Sequence, residues 1–573
     1  MLVSATEFPR ALATLTSLLP HTTCISFDLE FTGLSLPGSH SLNTLSTPQH
    51  RYKQMWKPAI DNYTMIQVGI CLYCPNAVST SSLTAHPFTF FTKHPTADLN
   101  MSGSAVEFLA KNNMDWNTWL GNAAPFCDKA TADNALAKHH KQYPPTIETD
   151  SAILETINAP KTNQRPPQIP NTAADHQYLS LSVAAIRGWL DTDSRLTLHL
   201  PPTSPYRRLL VHGNLESTYP TIVREGYDGI YDLFTRLVIS DNDAQELARQ
   251  PDFDPTRLVR GRGILLSRLT DEAKVVRYKE DRDKSRVRVN DKVLGFRQVW
   301  EAIKGEVVRR PEIIMTGHNC TLDILYLMKC LEGPLPDDLN KLFQDFHKMF
   351  PNLMDTKMLG DEFKKVQGEY DNSNLGGSFE AIESATIRDS LDKEHNVDVD
   401  LAGDLMVQKH DAGYDAYMTG VICLRLKAAH AKCVNSLYYM RSLGSMQISS
   451  QGFDFVLKGG ALSSHVILSG VRAFGSGEIA GNLAKMSVSE SQLKWAGRDE
   501  VVVWGGEFDN FENVRKEVKK CLSAEVSVER LEDRFKQMEG GATKEGGSGG
   551  LWDRVGAWWR GEGEGEKKRK RGE

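Results

Sequence analysis

The chain lacks the features of a membrane protein, of a disulfide-stapled secreted protein and of a uniformly basic nucleic-acid coat. No apolar run in its 573 residues approaches the roughly 18 to 20 that span a bilayer, and its start lacks the basic segment and cleavage site of a signal peptide. Its nine cysteines are an odd number without framework spacing, and its net charge is −6. These absences predict a multidomain globular protein that is soluble and intracellular.

What the sequence does contain is a pair of carboxylates inside an apolar stretch, ISFDLEFTGL, which starts at Ile25. If this stretch is a strand, alternate side chains share a face, so Asp28 and Glu30 lie side by side. An isolated pair of this kind is typical of a half-exposed strand. A metal site would need more carboxylates from elsewhere in the chain.

Two later segments supply such carboxylates. In TGHNCTLDILYL, Asp323 lies among the apolar residues of a predicted helix, where burial is costly unless the charge is paired or bound to a cation. In QKHDAGYDAYMTGVICLRL, Asp415 lies in the first turns of an apolar helix and His410 just precedes it; Asp404 and Asp411 are nearby alternatives. Taken alone, Asp411 and Asp415 are equally well interpreted as N-terminal charges that the helix dipole stabilises.

The composition divides the chain into segments. Three β-like runs and a helix come first, and a stretch rich in Pro, Thr, Asn and Ala then predicts a flexible connection. Strand-like and helix-like patterns alternate afterwards, up to a Gly-rich tail with the basic run KKRKR, Lys567 to Arg571. The predicted segments are 1–127, 128–177 (the connection), 178–260, 261–435, 445–538 and 539–573 (a disordered tail).

A further candidate pair lies in SPYRRLLVHGNLESTYP, where Arg208 and His212 are four residues apart. On a helix this spacing places both side chains on one face, where together they could hold a phosphate. The same spacing is also common on a solvated helix face.

The acids and the histidine occur in the order that characterises the DEDD exonucleases, in the subclass whose base is a histidine. Around them, FDLEFTGL, GHNCTLD, FPNLMDTKML and HDAGYDAYMTG follow one another as in the poly(A)-specific ribonuclease family of deadenylases, which the chain resembles over most of residues 1–452. The five positions that carry the resemblance are Asp28, Glu30, Asp323, His410 and Asp415.

The resemblance implies an α/β fold with a ribonuclease-H-like mixed sheet flanked by helices, formed by 1–127 and 261–435. It implies an inserted small α/β domain of the Arg-x-x-x-His type at 178–260, which binds single-stranded nucleic acid. It also implies an RNA-recognition-motif-like domain at 445–538, although Trp504 and Phe474 are the only candidates there for base stacking.

The implied activity is 3′-to-5′ exoribonucleolytic removal of poly(A) tails by two-metal-ion hydrolysis, with release of 5′-AMP. The four acids would hold two Mg²⁺ ions, with Mn²⁺ as a substitute, because hard oxygen ligands suit these cations. His410 is suited to take a proton from the attacking water, since the ordinary pKa of histidine is about 6.5.

The implied partner is single-stranded RNA with a 3′-hydroxyl poly(A) tail, and no membrane. Phe31 and Leu34 would contact the terminal base or ribose, and Lys357 would pair with a phosphate; core packing for the first two and a solvated position for the lysine are the other interpretations. A homodimer and a location in nucleus and cytoplasm are also expected, with KKRKR either an import signal or a solvated tail.

Two other functions remain open from the sequence. One is a nuclease that trims the 3′ ends of noncoding RNAs with oligo(A) tails, using the same site. The other is a catalytically inactive RNA-binding scaffold, which is disfavoured because such proteins usually lose at least one ligand and all five positions are present here. The carboxylates themselves do not explain a preference for adenine.

Overall fold

The computed structural model of the protein describes residues 1–37, 46–76, 82–96, 98–158, 169–192, 195–219, 222–250, 252–268, 270–367, 370–372, 374–384, 387, 398–402, 410–457, 465–472, 474–483, 488, 492–496, 499–504, 511–522 and 525–538. Asp404 and the predicted tail with its basic run lie outside these residues. Among the described helices, none is long and apolar enough to cross a bilayer.

Nineteen strands lie in the described part of the chain. They are β1 (Leu2–Val3), β2 (Cys24–Phe31), β3 (Met65–Pro75), β4 (Ser82–Lys93), β5 (Ala124–Pro125), β6 (Thr197–Leu200), β7 (Val223–Asp232), β8 (Leu237–Ile239), β9 (Leu258–Ser267), β10 (Ile314–Gly317), β11 (Leu353–Asp355), β12 (Asp398–Leu401), β13 (Ser436–Tyr438), β14 (Gly444–Ser449), β15 (Gly452–Leu457), β16 (His465–Ser469), β17 (Leu493–Trp495), β18 (Glu500–Trp504) and β19 (Ser527–Arg530).

The α-helices of the same residues range from one turn to more than five. They are α1 (Phe8–Leu18), α2 (Pro48–Arg51), α3 (Lys57–Asn62), α4 (Gly103–Lys111), α5 (Trp116–Asn122), α6 (Lys129–Gln142), α7 (Asp150–Asn158), α8 (Ala173–Thr192), α9 (Pro205–Thr218), α10 (Asp241–Ala248), α11 (Asp271–Val289), α12 (Arg297–Arg309), α13 (Thr321–Leu327), α14 (Leu339–Met349), α15 (Thr356–Gln367), α16 (Leu375–Glu383), α17 (Ala412–Arg425), α18 (His430–Cys433), α19 (Ser476–Asn482), α20 (Phe511–Cys521) and α21 (Leu531–Met538).

The chain forms two compact units, Met1–Ala135 with Val289–Glu573, and Leu136–Arg288. The first unit is built on a mixed sheet of order β1-β4-β3-β2-β10-β11, with β12 and β5 paired to β4. Strands β2, β3 and β4 form an antiparallel meander, whereas β10 and β11 run parallel to β2. The mixed α/β fold predicted from the sequence is confirmed.

Apolar side chains cover both faces of this sheet. Phe8, Ala11 and Leu15 recur at helical spacing on α1 and are buried in the same core as Phe27 of β2 and Phe90 of β4. On the other face, α17 packs residues such as Ala416 against Cys24 and Tyr73. The sheet is therefore buried on both sides.

The second unit has a four-stranded sheet of order β6-β9-β7-β8 and a small core of its own, which includes Ile186, Val211 and Leu266. At Leu136–Arg288 it extends beyond the predicted insertion 178–260 on both sides. The prediction of a flexible connection over 128–177 is corrected where the structure describes this range, because α6, α7 and the start of α8 are helical; residues 159–168 lie outside the described residues.

Residues 465–538 contain a β-α-β-β-α-β arrangement with sheet order β17-β18-β16-β19. One face of this sheet packs against α19 and α20. The other face, with Ile467 and Val502, packs against Leu531 of α21 and against Leu443 and Leu457, which precede residue 465. Both faces of the two central strands are thus covered by protein.

Candidate active site

The site begins at the carboxyl end of β2. Asp28 and Glu30 point to one side of the strand, as the alternation predicts, and register with Gly69 and Gln67 of β3. Asp28 is half-buried, and Glu30 is only 9% exposed. The pair is therefore not a solvent-facing strand edge.

Asp323 reaches the same edge from α13. Because β10 runs parallel to β2, the helix that follows β10 starts beside the carboxyl end of β2. The Leu29 backbone N–H, between the two acids, donates to Asp323 Oδ1 at 3.1 Å, and Asp323 is buried. This hydrogen bond ties the third carboxylate to the strand of the first two.

Asp415 comes from α17, which lies directly against the meander. A Cβ at Gly69 would be 1.8 Å from the Ala412 carbonyl oxygen, and one at Gly413 would be 2.2 Å from Thr89 Oγ1. Only glycine permits this approach on both sides of the contact. It brings the buried Asp415, in the first turn of α17, towards the carboxylates of β2.

The neighbouring Asp411 has a different task. It is the N-cap of α17: its carboxylate accepts the N–H groups of Gly413 and Tyr414, and the Thr89 hydroxyl donates to it at 2.7 Å. The helix-terminal interpretation therefore fits Asp411, whereas Asp415 faces the other acids.

His410 precedes the cap in a left-handed backbone conformation with φ of 64°, which is uncommon for a residue with a side chain. Its Nδ1 lies 3.9 Å from Asp415 Oδ2, and its ring meets the Phe108 ring edge-to-face at 4.8 Å between centroids. Ligand atoms of Glu30, His410 and Asp415 all lie within 4.8 Å of one another. The backbone at His410 thus turns the imidazole towards the carboxylates.

The acids repel one another in a buried setting. Burial, followed by the charges of Asp415, Asp323 and Glu30, raises the pKa of Asp28 well above its usual value. Burial, followed by the charges of Asp415, Asp323 and Asp411, raises the pKa of Glu30. Burial also raises the pKa of Asp323 to about 7. Oxygen donors that are clustered, buried and mutually destabilising are suited to a hard divalent cation, which would relieve the repulsion.

The predicted substrate contacts have mixed settings. Phe31 is half-buried and stacks on Tyr326 at 4.2 Å between ring centroids, whereas Leu34 is 53% exposed. Lys357 Nζ lies 5.8 Å from the Tyr438 ring centroid, and burial lowers the pKa of this lysine. Leu34 is thus the most accessible of the three. Phe31 packs partly in the protein interior, against Tyr326.

Arg208 and His212 lie on α9 of the second unit, so their four-residue spacing is a helical spacing. The Arg208 guanidinium donates to the backbone carbonyl groups of Thr203 and Arg262, and the His212 carbonyl accepts from Arg224 at 3.1 Å. Both side chains are half-buried. At least one nitrogen of Arg208 is therefore engaged in holding the unit together.

Sequence reasoning missed Asp355, which is fully buried at the end of β11. Its carboxylate accepts the backbone N–H groups of Asn319, Lys357 and Tyr438 at 2.9 to 3.0 Å, and burial raises its pKa to about 6. It also missed Phe108 and Tyr326, the ring partners of His410 and Phe31. An acid at the end of an apolar strand, in NLMDTK, was the available signal for Asp355.

The sequence matches the family model described as CAF1 family ribonuclease over residues 3–423. It is 24% identical over 410 residues to the poly(A)-specific ribonuclease PARN of Bos taurus. This alignment covers 69% of this chain and 57% of that protein. The chain is 23% identical over 413 residues to the pre-piRNA 3′-exonuclease trimmer of Bombyx mori. That alignment covers 70% of this chain and 66% of the trimmer.

The chain thus spans less than two thirds of the length of these relatives. Among solved structures it is similar to S. pombe Pop2p in its Mg²⁺- and Mn²⁺-bound form, with 13% identity and a TM-score of 0.33 over 76% of this chain and 98% of that one. A likeness at that TM-score supports no argument about this chain.

Proposed function

The chain belongs to the CAF1 ribonuclease family, and from that premise we propose that it is a 3′-to-5′ exoribonuclease that removes poly(A) tails from RNA and releases 5′-AMP. The similarity to poly(A)-specific ribonucleases supports the substrate. The proposal concerns the activity of the whole protein, of which the matched region is the catalytic part.

One observation carries the proposal. Donor atoms of Glu30, His410 and Asp415, which come from a strand, a turn and a helix far apart in sequence, lie within 4.8 Å of one another. Asp28 and Asp323 are close enough to this group to shift carboxyl pKa values. A fold gains no stability by collecting buried like charges, so the arrangement indicates chemistry.

We assign the roles by the chemistry of each group. Asp28, Glu30, Asp323 and Asp415 would hold two divalent cations, Mg²⁺ or Mn²⁺, because carboxylate oxygens are the preferred ligands. When bound, such cations supply an acidified water and neutralise charge on the leaving 3′ oxygen. His410 would accept the proton of the attacking water, and the Asp415 carboxylate, 3.9 Å from Nδ1, would stabilise the resulting imidazolium.

Substrate binding would involve residues beside the acids. Leu34, exposed just past the end of β2, and the partly buried Phe31 are positioned to meet the terminal nucleotide. Lys357, near the start of α15, supplies a positive charge for a phosphate. Arg208 and His212 would contact upstream RNA from the second unit.

The test is hydrolysis of a 5′-labelled 20-nucleotide oligo(A) with a free 3′ hydroxyl by the full chain, with Mg²⁺ and with EDTA. We expect stepwise shortening from the 3′ end, release of 5′-AMP, full loss of activity in EDTA, and slower hydrolysis of oligo(U). Internal fragments, or hydrolysis that EDTA leaves intact, would contradict the proposal.

Trimming of noncoding RNA is the second candidate, supported by the similarity to a pre-piRNA trimmer. A trimming nuclease should remove non-adenine 3′ ends about as fast as an oligo(A) tail, whereas a deadenylase should stop at the junction. An RNA carrying ten non-adenine nucleotides followed by ten adenines distinguishes the two. Binding without any hydrolysis would favour the inactive scaffold instead.

We also propose that the second unit and residues 465–538 hold RNA, that the protein is a homodimer, and that it acts in nucleus and cytoplasm; family resemblance supports all of these. For the C-terminal domain the covered sheet faces argue against base stacking in the manner of RNA-recognition motifs. RNA contact would then use loops or edges. Light scattering tests the dimer, and imaging of a tagged full chain tests the location.

A further inference from the structure

The second unit carries an exposed apolar turn between β7 and β8. At this hairpin tip (residues 233–237), Leu233 is 46%, Phe234 81% and Leu237 45% exposed. Scattered exposed leucines are ordinary, but an adjacent group that includes an almost fully exposed phenylalanine is not. The feature lies outside every residue assigned above.

The hairpin tip is held rigidly. Asp232, which is fully buried at its base, accepts the Arg257 guanidinium through both oxygens at 2.7 and 2.6 Å. It also accepts the Phe234 backbone N–H at 2.9 Å and the Thr235 hydroxyl at 3.0 Å. These bonds hold the pKa of Asp232 well below its usual value, with the Arg257 contact as the largest cause.

The turn closes in a conformation that is costly for its residues. Arg236 has φ of 60°, in the left-handed region, and its backbone N–H donates to the Asp232 carbonyl at 2.8 Å. Strain of this kind persists where surrounding contacts hold the chain in place. The outcome is that Phe234 is presented to solvent on a fixed support.

An ion pair and one exposed arginine lie beside the ring. The Arg257 guanidinium carbon lies 5.0 Å from the centroid of the Phe234 ring, so a cation backs the aromatic group. Burial raises the pKa of Tyr231, and the nearby charges of Arg236 and Arg195 oppose that rise. Asp232 balances Arg257, which leaves the positive charge of Arg236 at the turn itself.

We propose that the hairpin tip is a stacking site for a base of single-stranded RNA, with Phe234 as the platform and Arg236 beside the backbone phosphates. This inference rests on the proposed RNA substrate and adds a contact in the second unit away from Arg208 and His212. Any base has a stackable face, so the site would tolerate sequence while gripping the strand.

Charge complementarity favours RNA over a protein partner as the occupant. A nucleic acid joins flat, electron-rich bases to a regular series of negative phosphates, which matches an exposed aromatic ring followed two residues later by the exposed cation of Arg236. A protein would need a larger apolar surface than three side chains to form a stable contact.

The test measures binding of a 5′-fluorescein 20-nucleotide oligo(A) to the full chain by anisotropy, in EDTA so that hydrolysis does not interfere. Phe234→Ala should raise Kd about tenfold, a typical loss for one stacked base. Phe234→Trp should stay within about twofold of wild type, whereas Phe234→Leu, which is apolar but has no aromatic face, should lose nearly as much as the alanine variant. Leu196→Ala, at another exposed apolar position of the same unit, is the control and should not change Kd.

Several outcomes would overturn the inference. Unchanged Kd in Phe234→Ala, with normal hydrolysis by the wild type, rejects the stacking site and leaves the proposed function standing. Full affinity in Phe234→Leu rejects stacking in favour of a simple apolar contact. A change of molar mass in Phe234→Ala by light scattering, without loss of RNA affinity, assigns the hairpin tip to a protein contact. A wild type that neither binds nor hydrolyses oligo(A) rejects both the inference and the proposed function.

Discussion

The carboxylate cluster of the first unit and the hairpin tip of the second show opposite ways to present functional groups. In the cluster, carboxylates from β2, α13 and α17 lie together, and burial raises the pKa values of those on β2 and α13. At the hairpin tip, the functional ring is exposed, and the buried charge beneath it is matched by a bidentate arginine.

The difference separates chemistry from binding. Buried like charges destabilise the fold unless a cation neutralises them, so a bound metal ion should stabilise the cluster. A buried acid whose hydrogen bonds are satisfied, such as Asp232, stabilises its turn and leaves the exposed ring to contact a partner. Substitutions should therefore affect turnover in the first region and affinity in the second.

The largest effect is expected from removing one acid of the cluster. Asp28→Ala, Glu30→Ala, Asp323→Ala and Asp415→Ala should each lower kcat by about 10³-fold or more, equivalent to roughly 4 kcal/mol of transition-state stabilisation. Single-turnover hydrolysis of oligo(A) measures this, with RNA affinity expected to stay within a few-fold. Asp345→Ala is the control, because this partly exposed acid pairs with Lys341 and Lys348. Near-normal turnover by any of the four cluster variants would falsify the assignment.

A smaller loss is expected at His410, because its task is proton transfer. His410→Ala should slow hydrolysis by about 10²-fold, and the loss should shrink at alkaline pH. In the wild type, log kcat should fall below pH about 6.5, and this acid limb should be altered in the variant. Phe108→Leu, which keeps the imidazole, should retain the limb. Parallel profiles for wild type and His410→Ala would remove His410 from the role of base.

Metal removal should change stability in a direction that the pKa shifts determine. Without metal, the folded state keeps protons on Asp28, Glu30 and Asp323 up to a higher pH than the unfolded state does. Between pH about 4 and 7 the folded state then binds more protons, so the free energy of unfolding falls as pH rises.

Divalent cations should reverse this loss. At pH 7.5, saturating Mg²⁺ or Mn²⁺ should raise Tm by about 5 °C, and the gain should shrink towards pH 5, where protons compete for the carboxylates. Thermal unfolding with metal and with EDTA at each pH measures the effect, with Asp28→Ala as the variant that should respond less. A metal-induced gain that is the same at both pH values would contradict this account.

The smallest effect is expected at the Arg208 and His212 pair. Each alanine variant should raise KM for the 20-nucleotide oligo(A) by about two- to fivefold and leave kcat unchanged, as expected for a phosphate contact. Arg208→Ala should also lower stability slightly, since its guanidinium donates to two backbone carbonyl groups. The exposed Arg187→Ala on α8 is the charge-matched control. A kcat defect in either variant would place the pair in the chemistry instead.

Much of the catalytic unit could be predicted because its signals are local. The alternation around Asp28 predicted the strand and the shared face of the two acids, and the meander followed from three β-rich runs. The helices α6 and α7 escaped prediction because the segment around them is rich in Pro, Thr, Asn and Ala, a composition typical of a linker. The N-terminal extent of the second unit was missed for the same reason.

The sequence by itself determined which residues are able to do chemistry: acids in apolar surroundings, with a histidine before the last one. Only the tertiary structure decided which of them meet. Parallel pairing of β10 with β2 brings Asp323 to the edge, and the contact of Gly69 with Ala412 brings Asp415 there, while Asp411 caps a helix. Proximity depends on how distant segments pack, so local patterns cannot specify it. For the same reason the sequence does not reveal the support of Phe234, because Asp232 and Arg257 come from different segments of the chain.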